Sequence, residues 1–286
     1  MKRILRKLKD FNELVMFQHS IFSLPFIFIA MVVSADGWFG WSLFFLGVAA
    51  AITARNFAMG LNRYADKDID SINPRTSGRP SVDGRLDARA VMLFTIVNAA
   101  AFVIVAYMIN MVAFWLSFPV LAVLGSYSYF KRFSSMAHVV LGVSLGLAPI
   151  AGVIAVEAAV PPWSVLLSFG VVFWVAGFDL LYSLQDIEFD KEHGLHSVPS
   201  RYGAEATLFI SAVFHLVTVL FWAMFVWCAG LGISAFLAVA VSAAMLGYEH
   251  QIVRKDFTKI DRAFFTVNGY LGIIFLVLII LDKVIY

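Results

Sequence analysis

The chain has 286 residues, 61% of them hydrophobic and only 14% charged, and its mean hydropathy is +0.86. Soluble domains run at about 45–50% apolar and about 25% charged residues, so this composition excludes an ordinary soluble domain and points to a polytopic membrane protein. The net charge of +2 decides little by itself, nothing in the sequence calls for a nucleic-acid partner, and the single cysteine, Cys228, rules out an intramolecular disulfide.

The chain opens on a basic arm, "MKRILRKLKDF". A span-length apolar segment follows, rather than the short apolar core and small-residue cleavage site of a signal peptide. A helix crossing a ~30 Å hydrocarbon core needs about 20 mainly apolar residues. Nine such runs follow in chain order: 19–36, 41–62, 89–108, 110–129, 135–157, 163–184, 205–228, 231–249 and 262–282. No polar connection is long enough for a soluble domain. The expected architecture is all-α: one membrane-embedded domain over 1–286, with nine transmembrane helices around a central cavity.

Charge sets the expected orientation. Five Lys and Arg lie in the N-terminal arm, six lie from Arg63 to Arg89, and four lie from Arg254 to Arg262. Lys131, Arg132, Lys191 and Arg201 occupy the other connections of the same parity. The intervening loops near Asp36, Asn110, Glu157 and Gly230 carry no Lys or Arg. The positive-inside rule then places the N-terminus in the cytoplasm and, after an odd number of crossings, the C-terminus outside the cell membrane.

The acids gather on the same side, in the segments 62–89 and 184–203. In "AMGLNRYADKDIDSINPRTSGRP", residues 58–80, Asn62, Asp66 and Asp70 are spaced four apart. On a continuous helix they share one face. In "GFDLLYSLQDIEFDKEHGLHSVPSRYG", residues 177–203, Asp186 and Asp190 are also four apart, and Asp179 precedes Asp186 by seven. Stacked carboxylates repel unless a cation sits among them. Oxygen-only donors suit Mg²⁺ better than Zn²⁺, and Mg²⁺ completes its shell with water and substrate phosphate. Two such clusters facing one another are expected to hold Mg²⁺ against a diphosphate, with Arg63, Arg75, Arg79, Lys131, Arg132 and Lys191 neutralising the remaining phosphate charge. Asp68 lies off the stripe and reads as an ion-pair partner of Arg63 or Lys67. Arg55, seven residues before Asn62 and deeper in its span, is an intramembrane charge and therefore a functional candidate, able to pair with Asp179 or to bind an acceptor's carboxylate or hydroxyl. The six histidines form no metal-binding set.

Together these residues resemble the UbiA superfamily of intramembrane prenyltransferases. Asn62-x₃-Asp66-x₃-Asp70, with Pro74–Thr76 and Arg79–Pro80 after it, is similar to the first aspartate-rich motif, and Asp186-x₃-Asp190 to the second. Tyr127-x₃-Lys131 resembles the Tyr-x₃-Lys element after the fourth span, and Asp179 matches an acid seven residues before the second motif. The tail "GLHSVPSRYG" resembles the 4-hydroxybenzoate polyprenyltransferase-like branch, which also serves menaquinone pathways. The resemblance implies Mg²⁺-dependent transfer of a polyprenyl group from polyprenyl diphosphate to a small aromatic quinone precursor. It implies catalytic roles for Asp66, Asp179, Asp186 and Lys131, metal binding by Asn62, Asp66, Asp70, Asp186 and Asp190, and substrate contacts by Arg55, Arg79 and Tyr127. Relatives prenylating haem, chlorophyllide, homogentisate or a lipid glycerol are the alternatives within the class. A transporter or lipid-binding protein is the alternative outside it, and it predicts polar groups at mid-span instead of at one membrane face.

Overall fold

The computed structural model describes residues 2–16, 22–130 and 132–285, and these contain helices and no strand. A basic surface helix, α1 (Lys2–Val15), precedes the short apolar α2 (Leu24–Ser34) and the long α3 (Trp41–Ala65). The first acidic loop carries α4 (Lys67–Ile72), after which α5 (Ala88–Ile109), α6 (Met111–Phe130), α7 (Ala137–Glu157) and α8 (Pro162–Ser183) follow on short connections. A 3₁₀ turn (Leu184–Asp186) and α9 (Ile187–Glu192) form the second acidic segment. Then come α10 (Val198–Cys228), α11 (Ile233–Lys255), a single turn α12 (Ile260–Arg262), a π-helical segment (Ala263–Val267) and α13 (Asn268–Ile285).

Eight of the described helical segments are long and apolar enough to cross a membrane, beginning with α3. The first expected span is represented by α2, which has 11 residues, while residues 17–21 lie outside the described ones. Among the described residues there are thus eight full-length spans and one short apolar helix where nine spans were expected. Helix starts follow local chemistry. Asp87 accepts a hydrogen bond from Ala90 N at the head of α5, and Ser197 and Ser200 form a reciprocal capping box at the head of α10, next to Pro199.

Polar contacts sort the connections into two ends. At one end Arg85 holds Asp10 and Glu13 of α1, and Arg132 holds Asp68. At the other, Lys283 holds Asp36, Ser34 donates to Glu157, and Asp282 accepts from Gly232 N and Ala235 N. So α1 lies at the acidic end and the last turn of α13 at the opposite end.

Phe26, Trp174, Trp222 and Phe275 form the aromatic centre of the core, with ring centroids 5.0–5.9 Å apart for Phe26 against the other three. Beside it, buried polar groups pin helices together. Asn268 donates to Glu249 Oε1 at 2.6 Å and accepts from Trp174 Nε1 at 2.8 Å, while His215 lies 3.0 Å from His250. Such hydrogen bonds between apolar helices substitute for the hydrophobic force that lipid does not supply. These residues show that ionisable groups inside the spans are not confined to the acidic face.

Candidate active site

Both acidic segments break their helices where the sequence pattern expects continuity. α3 ends at Ala65, and Asp66 (φ −95°, ψ 6°) separates it from the six-residue α4. Asp186 (φ −104°, ψ 10°) separates the 3₁₀ turn after α8 from the six-residue α9. Each stripe passes through the bridge region of backbone conformation at its first aspartate, while Asp66 N and Asp70 N still donate to Asn62 O and Asp66 O at 2.9 and 2.8 Å, so the first stripe keeps its helical spacing.

The first cluster is deeply buried, with Asp66 2% and Asp70 4% exposed. Asn62 Nδ2 donates to Asp66 Oδ2 at 2.8 Å and to Ser128 Oγ at 3.2 Å, while Asn62 Oδ1 accepts from Arg63 Nη1 at 3.1 Å. Arg79 Nη1 donates to Asp70 Oδ1 at 2.6 Å. Asp70 Oδ2 is buried and accepts no hydrogen bond from the described residues; Arg63 Nη1 stands 4.0 Å away. The "PRT" turn is tied to the same carboxylate's backbone, with Thr76 Oγ1 donating to Asp70 O at 3.0 Å. Asp68 is an ion-pair partner as expected, but of Arg132 (2.7 and 3.0 Å) instead of Arg63 or Lys67, and that hydrogen bond holds its carboxyl below the usual range.

The second cluster meets the first through guanidinium. Arg75 donates from Nε and Nη2 to the two oxygens of Asp186 at 2.9 and 2.5 Å, and Asn73 Nδ2 adds a third bond at 3.2 Å. Burial of Arg75 opposes its charge, but Asp186 outweighs this and raises its pKa. Asp190 lies one turn further along α9, half-buried. Among the described residues no three His, Cys, Asp or Glu side chains gather closely enough to share a metal ion. Arginines fill the space between the acids, as expected of carboxylates brought together without a cation. The donor set still fits a hard ion. Asp70 Oδ2 is a buried anionic oxygen without a hydrogen bond, with Asp66 one helical turn away, and Asp186 is reachable by exchange of its arginine.

Below the acids lies a cavity of about 380 Å³ between α2, α3, α5, α6 and α7. It runs from Arg55 and Tyr127 at the acidic end down to Gly47 and Ile154, and its walls are almost wholly apolar. Pro119 inside α6 lies on this wall. Arg55 does not pair with Asp179. Its Nη2 donates to the carbonyls of Val15 and Met16 at 3.4 and 3.3 Å, and Arg63 Nε donates to Leu14 O at 3.3 Å, so two arginines cap the C-terminus of α1. Arg55 Nε is buried and has no partner among the described residues. Asp179 instead faces His138, with His138 Nδ1 2.7 Å from Asp179 Oδ2. Lys131 lies outside the described residues. His138 is the site residue that sequence reading missed; a lone histidine at the acidic end of an otherwise apolar helix was the available signal.

The comparisons agree with this geometry. The profile of the UbiA prenyltransferase family matches residues 23–279. The chain is similar to the 4-hydroxybenzoate octaprenyltransferase of Cupriavidus necator, 29% identical over 247 residues that cover 85% of each chain. It is similar to the solved UbiA homolog from Aeropyrum pernix K1, with 33% identity, a TM-score of 0.83, and coverage of 92% of this chain and 98% of that one. A UbiA homolog from Archaeoglobus fulgidus, solved with DMAPP and Mg²⁺ bound, shares the fold at a TM-score of 0.78 and 20% identity, covering 97% of this chain and 100% of that one.

Proposed function

We propose, from the premise that the chain belongs to the UbiA prenyltransferase family, that it transfers a polyprenyl group from polyprenyl diphosphate to a hydroxylated aromatic carboxylic acid, a 4-hydroxybenzoate-like or naphthoate quinone precursor. The observation that carries the acceptor class is Arg55, a cavity-lining cation with a buried, unpartnered Nε beside Tyr127. A carboxylate is the natural partner for that nitrogen. The names of the octaprenyltransferase relatives support the same class.

In this reading the whole chain is one membrane-embedded catalytic unit, with segments 62–89 and 184–203 carrying the diphosphate site. Asn62, Asp66 and Asp70 hold the Mg²⁺–diphosphate from one side, and Asp186 and Asp190 from the other. Mg²⁺ supplies Lewis-acid neutralisation of the diphosphate's charge. Arg79, Arg75 and Lys131 neutralise what remains of it, and Tyr127 lies at the cavity mouth to orient the head of the substrate. Asn62 keeps the Asp66 carboxylate aimed through its 2.8 Å bond. The apolar cavity takes the isoprenoid tail and keeps water from the allylic cation formed when the C–O bond breaks. The homolog solved with DMAPP and Mg²⁺ supports this assignment of ion and donor. The clustering of Lys and Arg at the acidic end supports placing that end, with the N-terminus, in the cytoplasm.

The test is to supply the purified protein with geranyl diphosphate, Mg²⁺ and 4-hydroxybenzoate or a dihydroxynaphthoate and to measure the products by mass spectrometry. A C-prenylated acid with stoichiometric diphosphate release is expected. Consumption of neither acid would refute the acceptor class.

A further inference from the structure

His138 stands at the acidic end of α7, and its position follows from how closely α7 and α8 pack. A Cβ placed on Gly142 would lie 2.3 Å from Val172 O, and one on Gly146 would lie 2.4 Å from Val172 Cγ2, so the two helices touch along this seam. His138 is one turn before Gly142, and Asp179 is two turns after Val172. In an antiparallel pair those two side chains therefore meet, and they do so at 2.7 Å. The imidazole is 6% exposed.

Its second nitrogen has no such partner. Nε2 of His138 is buried and makes no hydrogen bond with any described residue. A polar atom left unsatisfied in a protein interior is costly, so a purpose is expected for it. Leu141, Leu145 and Ala148, which follow His138 at three, seven and ten positions on α7, line the apolar cavity. Helical side chains lean toward the helix N-terminus, which in α7 is the acidic end. The imidazole thus continues the helix face of the cavity-lining residues of α7 toward the acidic end, just beyond the lining itself. In the neutral imidazole a carboxylate on Nδ1 favours the tautomer in which Nδ1–H donates to Asp179 and Nε2 keeps the lone pair.

We propose that His138 is the base that takes the acceptor's ring proton, with Asp179 as its positioning residue; this rests on the prenyl transfer proposed above. As the C–O bond to diphosphate breaks, the allylic carbon forms a C–C bond to the ring. The ring carbon that gained the prenyl group must then lose its hydrogen. Nε2 of His138 takes that proton, the C–H electron pair restores the aromatic sextet, and Asp179 stabilises the imidazolium. One C–C bond forms, one C–O and one C–H bond break, and the proton leaves with solvent after the diphosphate.

The experiment uses the full-length protein in nanodiscs with geranyl diphosphate, Mg²⁺ and 4-hydroxybenzoate, either protiated or deuterated at the carbons flanking the hydroxyl-bearing carbon. His138→Gln keeps a polar side chain of similar size but no base. Expected is a fall in transfer rate of about a hundredfold or more, the usual scale for removing a general base. Binding of a non-cleavable geranyl thiodiphosphate stays unchanged. A primary deuterium isotope effect should emerge or grow in the variant, because ring-proton removal becomes the slow step, and a purely packing role would not move it. Asp179→Asn should show the same isotope signature with a smaller rate loss, and it provides the test should His138→Gln fail to fold. Wild-type rates in either folded variant, or a loss shared by thiodiphosphate binding without an isotope effect, overturn the proposal. Wild-type protein that prenylates neither ring overturns the proposed function and the base together, whereas wild-type prenylation with an unimpaired His138→Gln overturns the base alone.

Discussion

Asp66 and Asp186 occupy equivalent backbone positions. Each sits alone in the bridge region between a long apolar helical run and a helix of six residues, with φ, ψ of −95°, 6° and −104°, 10°. Their partners differ: Asp66 is held by Asn62 within its own motif, while Asp186 is held by Arg75 from the opposite loop. Arg75, together with Asn73, therefore links the two motifs.

The first prediction separates catalysis from charge solvation. Asp66→Asn and Asp186→Asn keep size and hydrogen bonding but each removes one anionic oxygen donor. A merely structural role at these largely buried carboxylates lowers stability but leaves turnover per folded enzyme nearly intact. A metal–diphosphate role lowers turnover by at least about a hundredfold, corresponding to roughly 2.7 kcal/mol of transition-state stabilisation. The double mutant falls far short of the product of the single effects, since the residues act as a unit. Near-normal turnover by either variant at saturating Mg²⁺ sinks the two-motif mechanism.

Arg75 and the metal compete for Asp186. In protein stripped of metal and substrate, Arg75→Gln should bind Mg²⁺ more tightly than wild type in isothermal titration, because no guanidinium must be displaced. Weaker binding in the variant would show that the Arg75–Asp186 pair does not oppose the ion.

Arg55→Leu should raise the KM for the aromatic acid while leaving prenyl diphosphate affinity largely intact. The side chain also caps α1 through Val15 and Met16, so Arg55→Lys serves as a control that keeps a charge to reach those carbonyls. Loss of diphosphate affinity with an unchanged acceptor KM contradicts the assignment.

The docking of α1 should depend on pH. Hydrogen bonding to Arg85 holds the Glu13 carboxyl below its ordinary value of 4.5. A depressed acid pKa contributes stability that is fully present above the unfolded value and is lost as pH falls through the lower, folded value. Proteolysis within α1 should therefore accelerate as pH drops below about 4.5, and Glu13→Gln should show fast cleavage at neutral pH already. A pH-independent cleavage rate in wild type excludes this clamp.

Orientation is open to labelling. In a Cys228→Ser background, cysteines at Ser77 and Glu192 should react with an impermeant maleimide only from the cytoplasmic side, and one at Asn110 only from outside. Labelling at Ser77 from outside inverts the orientation and moves the diphosphate site with it.

The resemblance to the UbiA prenyltransferases rests on the motifs Asn62-x₃-Asp66-x₃-Asp70 and Asp186-x₃-Asp190, and the spans are legible because hydropathy runs depend only on residue order. The helical class, the limits of α5, α6 and α8 to within a residue or two, and the placement of the acids at one end all follow from that order. What residue order could not decide is which charge meets which. Asp179 pairs with His138 and not Arg55, because Gly142 and Gly146 let α7 approach α8 closely enough to bring the histidine across. Arg55 turns instead to the end of α1, whose carbonyls are brought beside it by the docking of a helix far away in sequence. Asp66 and Asp186 leave ideal helical φ/ψ, a local departure that the spacing of the acids does not announce. Burial and the unsatisfied atoms it creates, on Asp70, Arg55 and His138, exist only once the helices are assembled, and they mark where ligands and protons are to be handled.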